Sequence, residues 1–141
     1  MSVRATAAVT TGAAPDRVWA VLLDGRGWSR WNPGVEWMTL EGELAAGTVV
    51  TTKPKGAPQT ALRVEEVVPG RTLALLVTVG PLAALRLRWD LRTTGAGTEV
   101  TQTVAGSGPL AGLLVDPAAR RIAGGMESNL RRLTELASTG S

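Results

Sequence analysis

The segment ALRLRWDLR at 84–92 alternates strictly: Leu85, Leu87, Trp89 and Leu91 fall on one side, and Arg86, Arg88, Asp90 and Arg92 on the other. Period-two alternation predicts a half-buried strand with one dry and one wet face. From Val35 to Gly106 the text repeats this theme in apolar runs separated by turn residues, which predicts antiparallel strands over 35–41, 47–53, 59–68, 71–79, 83–93 and 98–105. The connections carry turn chemistry at Glu41-Gly42, Pro54 to Pro58, Pro69-Gly70, Gly80-Pro81 and Gly95-Ala96-Gly97.

Ahead of this region, 3–11 reads as a first strand, and Pro15 then opens a short helix whose apolar face is Val18, Trp19, Val21 and Leu22. Gly25 and Gly27 interrupt it. A second brief helical turn carries Trp28 and Trp31 and ends where Pro33 restricts Asn32. After the strands comes a helical segment broken once, because Asp116-Pro117 reads as an N-cap followed by the first helical position. Beyond it Ile122, Met126, Leu130, Leu133 and Ala137 form a stripe at helical spacing, predicting a long amphipathic helix across the concave face of the sheet. The closing STGS reads as a frayed tail, with 139–141 outside the fold. The class is α+β in a single domain over 1–141. Seven twisted strands curl, and one helix cannot fill all of the concave side, so a cavity is the geometric expectation.

The composition narrows the chemistry. With no His, Cys, Tyr or Phe, the chain has no imidazole base, thiol nucleophile or disulfide, and a metal site or resident cofactor is not expected. The pI of about 10.5 follows from a formal charge of only +3 when nothing titrates between the carboxylates and the lysines. The thirteen arginines are spread along the chain, paired only at Arg120-Arg121 and Arg131-Arg132, so they read as a solvated face and not as a nucleic-acid footprint. No apolar run is long enough to span a membrane and the N-terminus lacks a secretory signal's apolar stretch, which predicts a cytoplasmic protein without stable membrane insertion, monomeric or homodimeric.

Few residues remain as candidates for function. Gln102 points inward with Val100 and Val104 if the last strand alternates, where its amide either bonds a neighbouring backbone group or water, or meets a ligand. Glu66 shares the interior only if Leu62 and Val64 set the register, although Val67 and Val68 blur it; there its raised pKa would suit acid–base work. The pairs Glu41/Glu43 and Glu65/Glu66 otherwise read as surface charge. Gly124-Gly125 sits inside a helix, where each glycine costs about 1 kcal/mol relative to alanine. Either the backbone approaches the sheet closely there, the expectation adopted, or the missing side chains leave room for a ligand beside Met126.

The pieces APDRVWAVLLD at 14–24, WSRWNP at 28–33, RVEEVVPGRTLAL at 63–75, LRWDLRTTGAGTEVTQTV at 87–104 and SGPLAGLL at 107–114, followed by the terminal helix, resemble the START/Bet v 1-like superfamily. The branch is that of the bacterial polyketide cyclases/dehydrases and lipid-transport proteins. The resemblance implies a helix-grip fold, a curved seven-stranded antiparallel sheet wrapped around a long C-terminal helix, with two short helices after the first strand. It also implies a mostly apolar cavity for a small hydrophobic molecule, polyketide- or lipid-like, that is cyclised or simply carried. Relatives often carry a histidine where this chain has Gln102, so Gln102, a cavity water and Glu66 are what remains for enol and proton steps. In that fold the turn bearing Trp28 and Trp31 sits near the cavity mouth, with Trp37 at the start of the next strand. The indoles either plug the open end of the barrel or stack on a ring-bearing ligand. The resulting ligand-binding candidates are Trp28, Trp31, Trp37, Leu87, Trp89, Gln102, Gly125 and Met126.

Overall fold

The computed structural model describes residues 3–40 and 44–139. Strand β1 (Arg4–Thr11) is followed by helices α1 (Pro15–Leu22) and α2 (Trp28–Trp31), joined by a tight 3-10 turn at Gly25–Gly27. Strands β2 (Val35–Met38), β3 (Val49–Pro54), β4 (Thr60–Val68), β5 (Thr72–Val79), β6 (Ala83–Thr94) and β7 (Gly97–Ser107) come next, and helices α3 (Ala111–Leu114) and α4 (Asp116–Thr139) close the chain. The predicted Glu41-Gly42 turn and the Glu41/Glu43 pair lie outside the described residues. Every neighbouring pair is antiparallel, in the order β1-β7-β6-β5-β4-β3-β2, so the strands after α2 form a meander and β1 seals its far edge. This is the helix-grip architecture.

The alternation in β6 holds across the sheet. Leu85, Trp89 and Leu91 are buried on the inner face, whereas Arg86, Arg88, Asp90 and Arg92 stand on the outer face among acidic partners. Arg86 pairs with Glu65 on β4, and Arg88 bridges Asp90 and Glu66 at 2.8 and 3.0 Å. The hydrogen bond from Arg86 holds the Glu65 carboxyl below its usual range, and Asp90, ahead of Glu66, raises Arg88. These pairs are partly exposed, so they specify strand register more than they add stability.

Helix α4 packs on β1 and β7 on one side and on α1 and α2 on the other. Two apolar clusters result. One joins Trp28, Trp31, Trp89, Leu130 and Leu133 at the α2 end; the other joins Ala83, Leu85, Val104, Val115 and Met126 at the opposite end. Half-buried Val77 and Leu87 pack against both, which makes them the seam of the interior.

Three local expectations need correction. Asp116 is the first residue of α4, not its cap: Val115 O accepts the Ala119 N–H at 2.9 Å, and the Asp116 carboxylate is fully buried with no hydrogen-bond partner. Helix α4 takes in Ser138 and Thr139 of the expected tail, with Ser138 Oγ donating to Thr134 O at 2.9 Å, and 140–141 lie outside the described residues. Gly124 and Gly125 are not required by close packing, because a Cβ at Gly124 would meet nothing within 4 Å and one at Gly125 only Asn129 Nδ2 at 3.8 Å. Replacing either glycine by alanine should therefore raise the unfolding free energy by about 1 kcal/mol, the helix-propensity difference, in urea titrations. A decrease would reveal a packing constraint at that turn.

Candidate functional site

Trp89 on β6 stands directly opposite Gln102 on β7, both on the inner face. The alternation of β7 buries Thr98, Val100, Gln102 and Val104 in succession, which places the amide where the sequence pattern put it. From the other side, the arrest of α2 before Pro33 keeps Trp28 and Trp31 one turn apart on a single face pressed against the sheet. The three indoles meet there. Ring centroids lie 4.7 Å apart for Trp28–Trp31, 5.4 Å for Trp28–Trp89 and 6.4 Å for Trp31–Trp89, the last two edge to face. Such pairs place a positive ring edge on a negative face.

Of the two roles open to Trp28 and Trp31, their depth fits plugging the end of the barrel. Trp28, Trp31 and Trp89 are 2 %, 0 % and 1 % exposed, so the first two are core residues and do not line an entrance. Their rings pack with Leu130 and Leu133 of α4 into the apolar cluster at this end. A surface hollow of about 570 Å³ lies elsewhere, at the rim between Gly70–Thr72 and Asp90–Thr93.

The polar atoms in this apolar cluster are unevenly satisfied. Trp28 Nε1 donates to Leu22 O at 2.7 Å and thereby ties α2 to the end of α1. The Nε1 atoms of Trp31 and Trp89 find no acceptor in the protein, and Gln102 Oε1 finds no donor. Buried polar atoms are paired in the great majority of cases, and leaving one unmade costs about 1–3 kcal/mol. Two unpaired donors and one unpaired acceptor thus belong to neighbouring side chains, Trp31 edge-on to Trp89 and Trp89 across from Gln102.

The other candidates are dispersed. Leu87 is half-buried at the seam, and Met126 is buried in the second cluster. Trp37 is 40 % exposed and stands apart from the three packed indoles. Gly125 faces Asn129, whose Nδ2 donates to Asn32 Oδ1 at 3.3 Å and so links α4 to the end of α2, a bridge that no residue pattern announces. Glu66 is not in the interior. A bulge between Val64 and Glu66 places one extra residue in β4, so Glu65 and Glu66 both face outward towards Arg86 and Arg88.

The model of the polyketide cyclase/dehydrase and lipid transport family matches residues 2–138. The chain belongs to this family. No curated protein matches it in sequence. Among solved structures, the Zhui aromatase/cyclase from a Streptomyces species is similar at a TM-score of 0.72 and 22% identity over 98% of this chain and 94% of that one. A protein from Mesorhizobium loti gives 0.70 at 17% identity over 99% of both chains. Ara h 8.0201 gives 0.71 at 13% identity over 99% of this chain and 100% of its own. The fold is that of the START/Bet v 1-like superfamily, kept at 13–22% identity between this chain and these structures.

Proposed function

We propose that this family member binds a small hydrophobic molecule between the sheet and α4, and that Trp31 Nε1, Trp89 Nε1 and Gln102 Oε1 grip a polar oxygen on it. The observation that carries this reading is the set of three unpaired polar atoms on neighbouring side chains of the apolar cluster at the α2 end, apart from the buried Asp116 carboxylate at the start of α4. A ketone or carboxylate oxygen suits the indole donors, and an enol or hydroxyl suits the amide acceptor. Polyketide-like and oxygenated lipid-like molecules present such groups on an apolar frame. The structural likeness to an aromatase/cyclase supports the first of these.

Entry takes place at the seam, where inner-face Val77 and Leu87 are only half-buried. Gly124 and Gly125 lower the helix propensity of α4 next to Met126, so the alanine variants that stiffen this turn should also slow binding. With Glu66 on the outer face, the three described polar groups of the site carry no titratable side chain. This favours holding over acid–base chemistry: the protein is a carrier, or it promotes cyclisation by fixing one conformation of a flexible polyketone.

The test is a titration with flat aromatic polyketides, steroid-like ketones and fatty acids, followed by tryptophan fluorescence. Saturable change is expected with an oxygenated ring compound, and Gln102→Leu should weaken its binding about tenfold, the loss of one buried hydrogen bond. Equal affinity in Gln102→Leu would remove the amide from the site. A ligand recovered chemically unchanged after long incubation would identify a carrier.

A further inference from the structure

Of the eight most exposed large apolar residues among those described, five lie at one end of the molecule: Val79, Leu82, Leu110, Leu113 and Leu114. They come from two segments separated in sequence. The β5–β6 turn supplies Val79 and Leu82, and the β7–α3 connection with α3 supplies the others. The segments are pinned together, because Leu110 N donates to Leu82 O at 2.9 Å and a Cβ on Gly108 would come within 2.7 Å of the same oxygen. Exposed Pro81 and Pro109 complete a rigid apolar tip. Leu113, 74 % exposed, projects from it instead of lining a groove.

The charge around the tip has one sign. Within 79–86 and 105–123 the carboxylate of Asp116 is the sole acidic group, and it is fully buried. Arg120 and Arg121 are exposed within two turns of Leu114 on the first half of α4. Arg86 on the outer face is neutralised by Glu65. Protruding leucines rimmed by unopposed arginines match the profile of an interface that dips side chains below anionic headgroups.

We infer that this end docks reversibly on an anionic lipid surface, with Leu113, Leu110 and Leu82 entering the headgroup layer and Arg120 and Arg121 contacting phosphates. The tip caps the second apolar cluster, whose inner edge is the Val77–Leu87 seam, so docking sets the interior beside the bilayer. This reading does not depend on which ligand the interior takes.

The experiment is co-sedimentation of the purified protein with vesicles of phosphatidylcholine, pure or mixed with phosphatidylglycerol. The mixed vesicles should retain the protein, the pure ones should not, and added salt should weaken retention. Leu113→Asp, which changes a residue outside the core, should lower partitioning about tenfold, and Arg120→Gln with Arg121→Gln by a similar factor, with circular dichroism unchanged. Failure of the folded protein to bind mixed vesicles would overturn the inference. So would equal binding to neutral vesicles, or retention unaltered in Leu113→Asp. A dimer in sedimentation that Leu113→Asp dissolves would assign the tip to a second copy of the chain, and also overturn it.

Discussion

Trp31→Ala should lower the unfolding free energy by about 3–5 kcal/mol, the range for deleting a large buried aromatic. Trp31 is completely buried and packs on both other indoles of the cluster, so its loss removes one tilted and one edge-to-face contact and leaves a hole that α2, only four residues long, cannot collapse to fill. Domains of this size are stable by about 5–15 kcal/mol, so the variant gives up a large share of the total. Trp37→Ala, on the exposed face of β2, should change stability by no more than about 0.5 kcal/mol. Urea unfolding of the two variants makes the comparison. Similar losses in both would mean that the packed indoles do not hold this end of the barrel together.

Gly25→Ala should be nearly as damaging, at about 3 kcal/mol, the upper part of the range for forcing atoms into a packed site. A Cβ there would stand 2.5 Å from Leu40 N, 2.7 Å from Met38 O and 2.8 Å from Leu40 O, backbone on three sides. Gly25 N also donates to Leu40 O at 3.0 Å, so the 3-10 turn is stitched to the segment just after β2. Backbone atoms cannot swing aside as a flexible side chain can. Displacing the turn would move Trp28 and Trp31 together, and the variant should show red-shifted tryptophan emission along with its lower urea midpoint. Gly124→Ala, with open space around it, is the control that should move stability the other way. A Gly25→Ala protein as stable as the parent would show that the turn tolerates displacement.

Much of this was legible because period two is a strict rule. Leu85, Trp89, Leu91, Val100, Gln102 and Val104 all face inward as their alternation requires, and that alone brings Trp89 and Gln102 within reach once β6 and β7 pair. Glu66 was misplaced for a reason no single strand contains. The bulge that turns it outward arises from pairing with β5 and from the arginines waiting on β6. Asp116 carries the residue pattern of a cap, but the break after α3 makes Val115 the residue whose carbonyl starts the ladder. Gly106 lies behind that carboxylate, where a Cβ would collide with Oδ1, so a glycine late in β7 was the available hint of a buried acid. The tryptophans were readable as one cluster but not in depth. Spacing fixes which face Trp28 and Trp31 share, and only the curvature of the sheet decides how far that face sinks.

The central claim is that Trp31 and Trp89 turn their unpaired indole N–H groups towards a bound ligand. The direct measurement follows the five indole N–H signals in proton–nitrogen correlation spectra during titration with an oxygenated ring compound, assigned by single Trp→Phe variants. Signals of Trp31 and Trp89 should move downfield to saturation as they gain an acceptor, while that of Trp28, already bonded to Leu22 O, stays nearly fixed. A compound that binds saturably while moving the signal of exposed Trp37 alone, with Trp31 and Trp89 unchanged, would contradict the account and place the ligand outside the grip of sheet and helix.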